Sequence, residues 1–369
     1  MGSDPVDFLK AILEIYSPSG LERDLARYLE RRMNGFGLRA RMDEVGNVIG
    51  EVGEGAPTLL LCGHMDTVTG FLNVRVKEGK IFGRGAVDAK SSMAAMILAA
   101  SALVDEDLGG KAIVACVVDE EGRSAGMRNL ISKGLDVKYA IFGEPSYCRH
   151  IVVGYRGSVT FVVECESPRT HVAISPYHAN VIERSLALWE KAREGLLLEG
   201  ESLFRSMNPY LLTIRGQAGR TLFRRPWCDM IVNVRFPLGL TVADVRKRLD
   251  EIIDRFRASN PDLAVDVRTI DSCEAIMSRK SSLVVRALIR AVRRVMGVKP
   301  RITVKTGSSD MNLLAGTPVH AVSFGPGDPH LEHTRLESVD IEEYTRSIEI
   351  YKEAIRELIG LGRGRHGRG

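Results

Sequence analysis

The stretch LLLCGHMDTV (59–68) is an apolar run that stops at Gly63 and passes directly into His64 and Asp66. KAIVACVVDEEG ends in the same manner at Glu120 and Glu121, and VKYAIFGEPS ends at Glu144. Asp88 opens the apolar stretch DAKSSMAAMILAASALV, and His333 follows PVHAVSFGPG. Imidazole and carboxylate donors without a thiolate suit a catalytic zinc site, in which cobalt or manganese can substitute. An aspartate shared by two cations neutralises part of both charges. Two cations about 3.5–4 Å apart orient a water, lower its pKa and polarise a carbonyl. Adjacent glutamates at a strand end point in different directions, so one can ligate while the other stays free to accept a proton. Each residue also has a plainer reading. His64 can be a polar strand end, Asp88 a helix N-cap and Glu120–Glu121 a solvated turn. His320, His330 and His333 compete for the last ligand position.

These residues are brought together only if the elements carrying them share an edge. The three apolar runs read as strands buried on both faces, and they alternate with helices, which predicts an α/β layered sheet that is mostly parallel. In such a sheet, ligands gather beyond the carboxyl ends of the strands. SPSGLERDLARYLERRM (17–33) reads as a helix capped by Ser19 or Gly20. SSLVVRALIRAVRRVM and SVDIEEYTRSIEIYKEAIRELIG read as two further helices, the second closing the fold. Between residues 154 and 273 the order changes to β-α-β-β-α-β, the ferredoxin-like pattern, with Thr241 capping the second helix. The expected organisation is a catalytic domain of residues 1–153 and 274–360, an inserted α+β domain of 154–273, and a flexible Gly/Arg-rich tail of 361–369.

Composition narrows the class. A chain of 369 residues, 44% apolar and 27% charged, is an ordinary globular protein of about two domains. No apolar run approaches the roughly 18 residues of a membrane span, and MGSDPVDFLK lacks the features of a secretory signal. The six cysteines include no C-x-x-C pair and read as reduced core thiols of a cytoplasmic protein. A net charge of +4 is too small to argue for nucleic-acid binding, and the GRGRHGRG tail lacks the aromatic residues of a nucleic-acid arm.

GHMDTV, GRGAVDAK, DEEG, GEPS and HTRLE, in this order, resemble the motifs of the co-catalytic di-zinc deacylases and carboxypeptidases, among them acetylornithine deacetylase, succinyl-diaminopimelate desuccinylase and the aminoacylases. The resemblance spans nearly the whole chain. It implies that His64, Asp88 and Glu144 bind one zinc, and that Asp88, Glu121 and His333 bind the other, with Asp88 bridging. Glu120 would be the general base, and Asp66 would hydrogen-bond His64 and hold its tautomer. The bond after Asp88 is expected to be cis. RTHVAISPYHAN resembles the family's H-x-A-x-P stretch, which makes His171 an oxyanion donor reaching the site, often of a partner subunit; His178 is the structural alternative. NVRFP and TGSSDMN resemble substrate-contacting segments, which points to Arg235, Ser308 and Ser309. The family's Asn-rich turn before NVRFP is replaced here by RTLFRRPWCDM.

Within the family, GEPS, KTGSSDMN and FGPG with HTRLE are most similar to the lysine and ornithine biosynthesis branch. Those enzymes release lysine or ornithine from the γ-glutamyl C-terminus of a small acidic carrier protein. Arg215, Arg220, Arg224 and Arg225 would form a basic rim suited to such a partner. Deacylation of acetylornithine or succinyl-diaminopimelate is the alternative, and a carboxypeptidase the last. The inserted domain is expected to act as a lid and to pair with a second copy, giving a homodimer.

Overall fold

A computed structural model describes residues 4–168, 180–218 and 225–360. The chain divides into two compact units: Met1–Gly154 with Ser278–Val304 and Ser309–Gly369, and Tyr155–Met277 with Lys305–Ser308.

The first unit is built on a mixed sheet. Four mutually parallel strands form its centre, in the order Lys111–Val117, Thr58–His64, Tyr139–Phe142 and His320–Ser323. Antiparallel strands flank them: Val48–Gly53 and then Arg39–Met42 on one side, His150–Tyr155 on the other. Thr58–His64 is buried from Leu59 onward, as a central strand covered on both faces must be. Helix Lys90–Ser101 is buried on nearly every side, which its small and apolar residues KSSMAAMILAAS permit. It packs with helix Ile341–Ile359 in the main core, where Met93, Ile97, Tyr344, Tyr351 and Ile355 are fully enclosed.

Three glycines let that helix close on the strand ends. A Cβ on Gly63 would lie 2.9 Å from Met93 Cβ, and one on Gly143 would lie 2.8 Å from Ser92 Cβ. A Cβ on Gly325 would fall on Ser92 Oγ at 2.2 Å. Each glycine lies at or just past the carboxyl end of a parallel strand, so the helix start approaches three strand ends at once.

The helix expected from residue 17 begins later, at Arg23, and runs to Gly35; its N-cap is Glu22, which makes no side-chain capping bond. Ser19 does not cap it, because its hydroxyl donates to Asp66 Oδ2 at 2.7 Å. A preceding helix, Pro5–Glu14, starts at Asp4, whose carboxylate accepts from the Val6 and Asp7 amides. Asp-Pro is a compact start signal of that kind.

The second unit is a four-stranded antiparallel sheet in the order Asn208–Gln217, Trp227–Phe236, Gly157–Glu166, Ala264–Cys273. Helices Val181–Leu196 and Val242–Ser259 cover it, and Leu188, Leu196, Leu249 and Ile253 fill the core against Phe161, Val232 and Val234. This is the ferredoxin-like β-α-β-β-α-β arrangement. Thr241 caps the second helix through a reciprocal pair with Asp244. The edge strand Asn208–Gln217 exposes Tyr210, Leu212 and Ile214. Among the described residues, no helix is long and apolar enough to cross a membrane.

Candidate active site

The parallel strands deliver His64, Glu120, Glu121 and Glu144 to one edge of the sheet, and loops bring Asp88 and His333 to the same edge. His64 is buried at 2% exposure. Its Nδ1 lies 2.9 Å from the Asp66 carbonyl oxygen; a carbonyl only accepts, so Nδ1–H is the donor and Nε2 faces Asp88. Asp66 therefore holds the imidazole, but through its backbone. Its carboxylate is 3.6 Å from Nδ1 and has other work. Oδ1 accepts the Glu120 amide at 3.0 Å, and Oδ2 accepts the Glu121 amide at 3.0 Å as well as the Ser19 hydroxyl. One buried residue thus sets the His64 ring with its carbonyl and the Glu120–Glu121 backbone with its side chain.

Asp88 lies between two imidazoles. Oδ1 is 3.3 Å from His64 Nε2, and Oδ2 is 2.9 Å from His333 Nε2. His333 Nε2 is also 2.9 Å from Glu121 Oε1. Donor atoms of Asp88, Glu121 and His333 all lie within 4.8 Å of one another, a spacing that one cation can span. Glu144 stands at the same edge, where its negative charge raises the pKa of Glu120. It is not part of the Asp88–Glu121–His333 group.

The electrostatics follow from this crowding. Burial pushes the Glu120 carboxyl well above its usual range; the His64 charge opposes that, while Glu144, Asp310 and Asp88 reinforce it. Burial would lower His64, yet the nearby Asp66 and Asp88 carboxylates raise it well above an ordinary histidine. Hydrogen bonds to Asp88 and Glu121 raise His333 to about 10. Burial opposes, but His333 and His64 hold Asp88 below the ordinary carboxylate range. The donor set thus concentrates negative charge where a cation would neutralise it.

Several residues that position the site are not obvious from sequence. Glu337 is 1% exposed, and its Oε1 accepts the amides of Gly85, Val87 and Asp88 at 2.9, 3.0 and 3.1 Å. Its Oε2 accepts from Arg84 Nη1 at 2.8 Å, and Arg84 in turn donates to the Gly70 and Thr334 carbonyls. The loop ending at Asp88 is therefore wound around one carboxylate. The Asp88–Ala89 bond is cis, as the resemblance implies. Lys90 is buried, donates to the Ile15 carbonyl at 2.8 Å, and is pushed down to about 7 by burial. Asp310 is also buried, which raises it to about 6. Glu337 was visible as the last residue of HTRLE, and Arg84 and Lys90 are the second and last residues of GRGAVDAK, but no spacing rule indicates their targets.

Arg235 Nη1 donates to Ser308 Oγ at 2.7 Å within the second unit. Ser309 caps the short turn Asp310–Leu314 by accepting the Met311 amide at 3.3 Å, so its hydroxyl serves local structure. His320 stacks on Tyr139, and His330 lies in the short turn Pro329–Leu331; neither joins the Asp88 group. His171, His178, Arg220 and Arg224 fall outside the described residues. Arg215 and Arg225 are exposed.

Residues 60–357 match the family model described as peptidase family M20/M25/M40, and the chain belongs to this family. A protein of Pyrococcus furiosus, named provisionally as a [LysW]-lysine/[LysW]-ornithine hydrolase, is 35% identical over 357 residues, covering 96% of this chain and 97% of its own. The [LysW]-lysine hydrolase of Deinococcus radiodurans is 32% identical over 365 residues, covering 96% of this chain and 97% of its own. The M20 family metallo-carboxypeptidase Sso-CP2 from Sulfolobus solfataricus superposes with a TM-score of 0.80 at 16% identity, covering 97% of this chain and 99% of that one, a likeness of fold. The chain is a hydrolase of amide bonds that uses a metal cofactor, and Asp88, Glu121 and His333 are spaced to hold a cation.

Proposed function

We propose that this protein releases lysine, ornithine or both from the γ-glutamyl C-terminus of an acidic amino-group carrier protein. The reaction rests on Asp88, whose two oxygens face two imidazoles at the edge where Glu120 arrives. The substrate rests on the name shared by relatives that match this chain end to end.

The donor set of imidazoles and carboxylates fits two zinc ions, or cobalt or manganese in their place. His64, Asp88 and Glu144 would hold one, and Asp88, Glu121 and His333 the other, with Asp88 common to both. Bound there, the pair would lower the pKa of a water and polarise the scissile carbonyl. The chain's own residues do the rest. Asp66 ties down the Glu120 amide, so the Glu120 carboxylate is held at the reacting edge. One Glu120 oxygen accepts a proton from the attacking water and delivers it to the departing α-amine. His171 would donate to the oxyanion and Arg235 would grip the carboxylate of the released amino acid.

The inserted unit, residues 154–273, is proposed as the lid and the dimerisation domain. The exposed Tyr210, Leu212 and Ile214 on its edge strand support a second copy as their partner. Leu212→Asp is expected to convert the dimer to monomer in sedimentation velocity; a wild-type chain that is monomeric at all concentrations would remove the pairing.

The direct test is a release assay with carrier-linked lysine, carrier-linked ornithine, N-acetylornithine and succinyl-diaminopimelate at equal enzyme. One or both carrier conjugates should turn over fastest. Faster cleavage of either small acyl compound would replace this reading with a deacylase. Exhaustive chelation should abolish release, and zinc or cobalt should restore it; full activity in the stripped enzyme would eliminate the metal mechanism.

A further inference from the structure

Two arginines stand at one end of the inserted sheet. Arg235, in strand Trp227–Phe236, lies in register with Asn208 on one neighbouring strand and with Ser158 on the other. Arg156 directly precedes strand Gly157–Glu166 and is 3% exposed. A buried guanidinium is costly unless its donors are satisfied. Arg156 Nε donates to the Thr306 carbonyl at 2.9 Å. Its Nη1 donates to the Leu203 and Ser206 carbonyls at 3.0 and 3.4 Å and to Asn208 Oδ1 at 2.7 Å. The planar fork of an arginine fixes these partners relative to one another, which the single ammonium of a lysine cannot do.

Thr306 lies in a short segment that owes its place to hydrogen bonds. Lys305–Ser308 belongs to the second unit, although the chain on both sides of it, Ser278–Val304 and Ser309–Gly369, belongs to the first. Thr306, Gly307 and Ser308 are exposed, and a Cβ on Gly307 would meet nothing within 4 Å. Side-chain packing therefore does little to hold the segment. Arg156 ties it to the sheet through the Thr306 carbonyl, and Arg235 ties it again through Nη1 to Ser308 Oγ at 2.7 Å. The two arginines are also linked on the sheet itself, because Asn208 accepts from Arg156 and lies directly across from Arg235. Ser308 takes one N–H of Arg235 and leaves the rest of its fork for a ligand.

We propose that Arg156 is a positioning residue for substrate. It holds Thr306 and hence Ser308, and Ser308 holds the orientation in which Arg235 presents its remaining N–H groups to the carboxylate of the leaving amino acid. The inference rests on the reading of Arg235 as that clamp. It does not rest on the carrier, because carrier-linked lysine, carrier-linked ornithine and N-acetylornithine all bring the same carboxylate.

Steady-state kinetics of the metal-loaded full chain provide the test. The substrates are whichever of those three compounds is cleaved, and the same compound with a carboxamide in place of that carboxylate. Arg156→Lys should raise KM for the carboxylate substrate about tenfold, the scale of losing a charge-assisted hydrogen bond, with kcat within about twofold of the wild type. KM for the carboxamide should not move. Arg156→Lys should add nothing to Arg235→Gln, because both act on one contact. A residue that only supports the fold would weaken both substrates alike and would add to Arg235→Gln; either result overturns the proposal, and so does an unchanged KM. If Arg156→Lys does not fold, Asn208→Ala decides, since it removes one acceptor of the Arg156 fork and should give the same selective rise on a smaller scale. Failure of the carrier conjugates to turn over leaves the test intact on N-acetylornithine. A wild-type enzyme with equal KM for carboxylate and carboxamide would remove Arg235 as the clamp, and this role of Arg156 with it.

Discussion

Glu120→Ala should lower turnover by about 10²–10⁴-fold, the range that general acid–base catalysis contributes, while metal content stays near that of the wild type. The reasoning is geometric. Glu120 and Glu121 leave the same strand, but Glu121 Oε1 meets His333 at 2.9 Å whereas Glu120 has no part in the Asp88–Glu121–His333 group. Removing the Glu120 carboxylate thus leaves every proposed ligand in place. Its amide still donates to Asp66, so the turn that also carries Glu121 keeps its anchor. Turnover and metal content separate the possibilities. Loss of both would make Glu120 a ligand, and retention of turnover would remove it as the base.

Glu337→Ala should produce the largest combined loss of stability and metal binding. The substitution leaves the buried Arg84 guanidinium without its carboxylate partner and three amides of the Gly85–Asp88 loop without an acceptor. Breaking a buried ion pair by deleting one partner costs about 3–5 kcal/mol. Residues that orient a ligand typically change metal affinity by about 10–100-fold. Glu337 raises no question of direct ligation, because its oxygens are fully used by the loop and Arg84. Thermal melts and zinc titrations of Glu337→Ala and Glu337→Gln check this together. Glu337→Gln keeps an acceptor for the amides, so it should recover part of the metal affinity lost in Glu337→Ala. Equal affinity in all three proteins would show that the loop holds Asp88 without Glu337.

The strand ends were legible because burial is written in residue type. LLLCGH, KAIVACVV and YAIFG can be buried on both faces, and a charged residue directly after such a run must lie at an edge. Edge and direction together brought His64, Glu120, Glu121 and Glu144 to one place before any coordinates. The ferredoxin-like order was legible for a similar reason, since apolar period and turn residues change after residue 154. What escaped were contacts whose two ends are far apart in sequence. Asp66 takes the Glu120 and Glu121 amides 54 and 55 residues away, and Glu337 takes amides 249 to 252 residues away. A carboxylate that serves backbone amides leaves no partner residue type to search for. Ser19 misled in the same way, because a serine before a helical pattern is an apt cap, and only the fold shows that its hydroxyl belongs to Asp66. Ser309 is the converse, a serine in a substrate-like motif whose hydroxyl closes its own turn.

The three glycines at the strand ends give the site a machinist's tolerance. Gly63, Gly143 and Gly325 leave less than a methyl group of clearance beneath the start of the Lys90–Ser101 helix. Asp88 lies two residues before that helix, while His64 and Glu144 each follow one of the glycines directly. The spacing between Asp88 and the donors opposite it is thus set by bare backbone, like two plates bolted together without a washer. A one-carbon shim at Gly63 would lift the helix from the sheet and separate Asp88 from His64 with every donor still present. Chemistry here is gauged by the absence of side chains as much as by the side chains themselves.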